Sequence, residues 1–124
     1  MQDDFTISFW LKTKQAGTGQ HAWWEGIGII DGDVPGSLKD LGVSLMERGK
    51  IAIGTGGPDK TVRSRRSVND DKWHHIVVTR DSVKGHLLIY LDGMLNFGGA
   101  GNPGTLDAPP RLTVGALQTG NNFY

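Results

Sequence analysis

The sequence has no cysteine, which excludes disulfides, zinc-thiolate centres and thiol nucleophiles and leaves the redox compartment open. It has no excess of charge of either sign, since 13 acidic residues balance 13 basic ones. That balance argues against a general attraction to nucleic acid or to an anionic membrane. No apolar run reaches the ~20 residues of a membrane-spanning helix, so membrane insertion is not expected. The opening M-Q-D-D-F-T-I-S-F-W lacks the basic and apolar regions of a signal peptide. A strand begins there almost at once, which fits a piece excised from a longer protein. Glutamate is scarce, with only Glu25 and Glu47. No Gly-x-Ser-x-Gly is present, and no segment keeps a helical period beyond two turns.

What remains is β-structure. At 124 residues the chain makes one domain. Its 19 glycines are scattered between short apolar runs, the pattern of many turns. The stretch from Trp73 to Phe97 is the most informative. W-H-H-I-V-V-T-R-D and H-L-L-I-Y-L flank a polar connection ending in Gly85, and the second run closes on Asp92-Gly93. An Asp-Gly pair between apolar runs predicts a type I′ hairpin, so three consecutive antiparallel strands are expected here. Phe5, Ile7, Phe9 and Leu11 alternate with Thr6, Ser8, Trp10 and Lys12, giving a strand with one apolar face. That face is expected to be buried with Ile76, Val78, Ile89 and Leu91. Residues 24–31, W-E-G-I-G-I-I-D, read as a strand in which Gly26 and Gly28 mark a close approach or a bulge. Leu41 to Glu47 and Lys50 to Gly54 form a hairpin across Arg48-Gly49. Val62 to Val68 is a polar strand, Gly98 to Pro110 reads as a loop, and Arg111 to Leu117 as the last strand. Roughly nine short strands predict an all-β antiparallel sandwich.

Several motifs have both a functional and a plain reading. Gly54 to Thr61 resembles a phosphate loop, but Asp59 stands where the pattern needs glycine and no helix follows, so it reads as a turn. His74 and His75 are adjacent on a strand and point to opposite faces, so one is packed and one exposed. Glycoside hydrolysis needs two suitably spaced carboxyl groups, and most aspartates here sit in turns, so an enzyme is not expected. Arg63 and Arg65 share a strand face. They fit either a charged edge that discourages pairing or a site for acidic polysaccharide. Trp23 and Trp24, with Glu25 beside them, offer either a core pair or a core indole and a platform for a sugar ring. Asp31 and Asp33 supply oxygens of the type calcium takes, though two carboxylates are too few alone.

F-T-I-S-F-W-L-K-T, W-H-H-I-V-V-T-R-D and L-L-I-Y-L-D-G together resemble the laminin-G-like, concanavalin-A-like jellyroll superfamily, in its bacterial version. W-W-E-G-I-G-I-I-D-G-D and L-T-V-G-A-L-Q-T-G-N-N-F-Y are similar to the subgroup found in large secreted or surface proteins. The resemblance covers nearly the whole chain. It implies a jellyroll sandwich and a non-catalytic module that binds glycans or proteins, with calcium often held at a rim. It implies a carbohydrate-binding or adhesion role in a larger secreted or cell-surface bacterial protein, with a plain protein-interaction module and a hydrolase remnant as alternatives. Against the family pattern, residues 1–124 lack the usual first and last strands, where acidic residues near the ion are carried. The edge beside Phe5 to Leu11 is then expected to be covered by another copy or a partner segment, with Phe123-Tyr124 in the contact.

Overall fold

The computed structural model describes residues 3–32, 39–107 and 112–115. Nine strands run through them: β1 (Phe5–Leu11), β2 (Ile27–Asp31), β3 (Leu41–Met46), β4 (Lys50–Thr55), β5 (Lys60–Ser67), β6 (His74–Arg80), β7 (His86–Leu91), β8 (Met94–Ala100) and β9 (Thr113–Val114). They form two antiparallel sheets, one of four strands in the order β1-β6-β7-β8 and one of five in the order β5-β4-β3-β2-β9. The expected sandwich is present, and its register follows from side-chain alternation. Phe5, Ile7 and Leu11 are buried and Phe9 is half-buried against the same core, with Ile76, Val78, Ile89 and Leu91 beside them on the same sheet face. The five-stranded sheet returns Leu41, Val43, Leu45, Ile51, Ile53 and Val62 to this core.

The local turn chemistry explains the three-strand run. Asp92 and Gly93 both have positive φ, 51° and 83°, as a type I′ turn requires. The β3–β4 hairpin turns across Arg48 and Gly49, at φ 65° and 70°.

Three expectations need correction. Residues 24–31 are not one strand: Trp23–Glu25 form a 3-10 turn, and β2 starts at Ile27. The turn is held by the Glu25 carboxylate, whose Oε1 accepts from the backbone N–H of His21 at 2.9 Å and of Ala22 at 3.2 Å. The two glycines do mark a close approach and a bulge. A Cβ on Gly26 would lie 2.6 Å from Ser44 Oγ, and the β2–β3 register shifts between Gly28 and Ile30. Gly98 and Gly99 belong to strand β8, not to a loop; Gly98 leaves room for Leu88, whose Cδ2 would stand 2.5 Å from a Cβ there. The last strand covers only Thr113–Val114 among the described residues, and Phe123 and Tyr124 lie outside them.

A second, smaller cluster sits on the outer face of the five-stranded sheet, where Trp23, Met46 and Ala52 are buried together. Gly42 and Gly54 pair across β3 and β4. A Cβ on Gly42 would stand 2.4 Å from Trp23 Nε1, and one on Gly54 2.2 Å from Trp23 Cε3. The glycine pair is therefore the seat on which the indole lies. Thr61 Oγ1 accepts from the Trp23 backbone N–H at 3.0 Å and fixes the turn to β5.

The two long sides of the sandwich differ. On one, Asn96 of β8 reaches over the edge of β5, and its Oδ1 accepts from the backbone N–H of Arg65 and Arg66 at 2.6 and 3.2 Å. On the other, β1 pairs with β6 alone among the described residues. Beside it lies an apolar gap of about 210 Å³ bordered by Phe9, Trp10, Leu11, Ile29, Ile30 and Val114. At the far end of β6, buried Arg80 donates to the carbonyls of Asp3 at 2.8 Å, Asn102 at 2.8 Å and Gly104 at 2.5 Å.

Candidate ligand-binding groove

Strand β5 turns Val62 and Ser64 inward and leaves Arg63 and Arg65 exposed on the other face. A two-residue bulge follows. Lys50 pairs with Ser67 while Ala52 pairs with Arg63, and the Ile51 N–H donates to Ser64 Oγ at 3.0 Å across the irregularity. The bulge opens a groove of about 810 Å³ lined by Gln20, His21, Glu47, Arg48, Lys50, Thr61, Arg63, Ser64, Arg65 and Phe97. Four permanent cations face it against one carboxylate, Glu47, in a chain of zero net charge. The Arg65 guanidinium lies 5.0 Å over the Phe97 ring, a cation–π contact that sets its position. Lys50 donates to the Arg65 backbone carbonyl.

The other sequence-derived candidates fall elsewhere. Trp23 is 0% exposed on its glycine seat, so it cannot touch a ligand, which corrects its reading as a sugar contact. Trp24 is 41% exposed, and its Nε1 donates to Asp59 Oδ2 at 2.9 Å, outside the groove lining. The backbone N–H groups of His21 and Ala22 hold the Glu25 carboxyl below its ordinary range, so it stays ionised and serves the turn. Asp31 is buried on β2, with its Oδ1 where a Cβ on Gly42 would come within 2.5 Å, and Asp33 lies outside the described residues. Among the described residues no three His, Asp or Glu side chains gather as metal ligands.

Sequence reasoning missed Gln20, His21, Arg48 and Lys50 as groove residues. The hairpin across Arg48-Gly49 carried the signal, because it brings Lys50 beside the end of β5. Arg66 leaves the groove for a separate network. Its guanidinium pairs with Asp92, whose Oδ2 is 2.8 Å from His74 Nδ1, while His74 Nε2 is 2.7 Å from Asp70 Oδ1. Burial works against charge on His74, but the hydrogen bonds it donates to Asp92 and then Asp70 outweigh it and raise its pKa. The His74 hydrogen bond, with the His75 N–H and Arg66, lowers Asp92 to about 2.

The family model described as the concanavalin A-like lectin/glucanases superfamily, of laminin G type, matches residues 1–124. The chain belongs to this superfamily. Among curated proteins, the human neuronal pentraxin receptor is 30% identical over 95 residues, 77% of this chain and 17% of that protein. Among solved structures, mouse laminin alpha1 chain, domains LG4-5, superposes with a TM-score of 0.71 over 95% of this chain and 29% of that one. At 15% identity that likeness shows the laminin-G-like jellyroll fold. The chain thus spans less than a third of either relative.

Proposed function

We propose that this domain is a non-catalytic carbohydrate-binding module of a larger secreted or cell-surface protein of bacterial type, and that its groove takes an acidic polysaccharide. The observation that carries this reading is the convergence of Arg48, Lys50, Arg63 and Arg65 on one groove of a neutral chain. Guanidinium forks match carboxylate and sulfate groups in pairs, and one of them, that of Arg65, lies over the Phe97 ring. The extracellular setting is supported by relatives named as a receptor and a laminin chain.

Binding to heparin and to polygalacturonate, titrated at rising salt with and without calcium, tests the reading. Affinity should fall as salt screens the cations. Arg63→Ala and Arg65→Ala should each weaken it about fivefold, roughly 1 kcal/mol. Equal binding by the double variant would overturn it.

The open side of the sandwich favours a second reading, a protein-interaction module. The apolar gap beside β1 is bordered by Ile29, Ile30 and Val114. A strand from a second copy laid along β1 would cover it.

A further inference from the structure

Within its four strands, the outer face of the four-stranded sheet carries no charge; Asp4 and Lys12 stand just beyond the two ends of β1. None of the outward positions of β1, β6, β7 and β8 is Asp, Glu, Lys or Arg, and the one formal charge in these strands, Arg80, is buried. A solvated sheet face is ordinarily polar with charges of both signs. Here the face carries hydroxyls, such as Thr6, Ser8 and Thr79, and a diagonal stripe of rings and apolar groups. The stripe has one step on each strand: Trp10 on β1, His75 on β6, Tyr90 on β7 and Leu95 on β8. Trp10 pairs with His75 in register, Val77 two residues on pairs with Tyr90, and Tyr90 pairs with Leu95. Trp10 is 64% exposed and Leu95 58%. Trp73, two positions before His75, is 63% exposed.

The stripe is pre-organised. The Trp10 indole stacks on the His75 ring with centroids 4.9 Å apart and planes 28° from parallel. His75 Nε2 is in turn hydrogen-bonded to Ser8 Oγ at 2.7 Å. The indole is thus backed by a fixed ring while most of its surface stays exposed, so little side-chain freedom remains to be lost on binding.

We infer that the outer face of the β1-β6-β7-β8 sheet is a second binding site, for an uncharged polysaccharide chain that stacks on Trp10 and runs along the stripe toward Tyr90. A sugar ring has an apolar face for the indole and hydroxyls at its rim. The sheet offers ring faces flanked by Ser, Thr and Tyr hydroxyls, with no charge among its strand positions to desolvate. Within the four strands an acidic chain would find no Lys or Arg on this face, the nearest being Lys12 just past the end of β1, whereas the Arg63–Arg65 groove gathers four cations. The site does not depend on the groove, and either can fail alone.

Affinity electrophoresis of the 124-residue chain in gels holding laminarin, hydroxyethyl cellulose, xylan or galactomannan tests it. At least one neutral polymer should retard the protein, with little effect of salt. Trp10→Ala should weaken that retardation at least about tenfold, as loss of an aromatic anchor does. Trp10→Phe should retain most of it, and Arg63→Ala with Arg65→Ala should not change it. Circular dichroism checks folding. If the alanine variant is unfolded, Thr79→Lys, which puts a charge on the same face, should give the same loss. No retardation in any gel would overturn the inference. So would unaltered retardation in the folded variants, or a face that captures only protein.

Discussion

Asp92 carries two loads at one position. Its backbone takes φ 51° in the hairpin turn, and its carboxylate joins His74, the His75 N–H and Arg66. The turn needs only a residue tolerant of positive φ, so Asp92→Asn should keep the hairpin and lose the ion pair. The charge network gives stability a pH window. His74 has a pKa raised above its ordinary 6.5, so its contribution is full below that value and is lost as pH rises through the raised pKa. Asp92 falls from 3.8 to about 2, so its contribution is present above 3.8 and is lost as pH falls toward 2. Thermal melts from pH 2 to 9 should show a plateau between these limits. His74→Gln should flatten the alkaline limb, and an unchanged limb would remove His74 from the account. Gly93 tests the backbone alone, since nothing lies within 4 Å of a Cβ built there at φ 83°. Gly93→Val should cost about 1–3 kcal/mol through strain, read as a lower Tm.

At the scale of elements, the glycine seat leaves no room for a side chain. A methyl on Gly54 would meet Trp23 Cε3 at 2.2 Å and the Lys60 carbonyl at 2.8 Å. Gly54→Ala should destabilise by about 1–3 kcal/mol or more, the cost of overpacking, and urea titration would measure it. Gly54→Ala with Trp23→Phe should recover part of that loss if the indole is the obstacle. The strands themselves were legible because their signals are local. Alternation in β1 and β6 and the Asp92-Gly93 pair each sit within a few residues. The Trp23 seat was not legible, because it depends on Gly42 meeting Gly54 across β3 and β4 while a loop lays an indole on both. The 3-10 turn at Trp23–Glu25 was missed for a related reason: its capping carboxylate, Glu25, lies inside a run that reads as β. The outward direction of Trp10 was readable from β1, but its stacking on His75 required the β1–β6 register.

At the scale of the whole molecule, the sandwich is sealed on one long side by Asn96 and bordered on the other by β1 and its apolar gap. The groove escaped a full reading because Lys50 and Arg48 join Arg63 and Arg65 only after β4 and β5 are paired across a bulge. If a second copy completes the β1 edge, sedimentation should show a mass that rises with concentration in the micromolar range. Val114→Lys, at the rim of the gap, should weaken that association by an order of magnitude or so through burial of a charge. A monomer at every concentration would show that edge to be closed without a partner. A strand added there extends the sheet and leaves its outer face open. Arg80 has a consequence of another kind, for a molecule under tension. Phe5, the first residue of β1, pairs with Arg80, and the Arg80 guanidinium holds the carbonyls of Asp3, Asn102 and Gly104. A pull on the N-terminal end loads that rung first among the β1 pairs, together with the hydrogen bonds that Ser82 gives Asp4 and Thr105 gives Asp3. The strand would otherwise peel from β6 one pair at a time, and Arg80 acts as the catch that sets the force at which peeling begins.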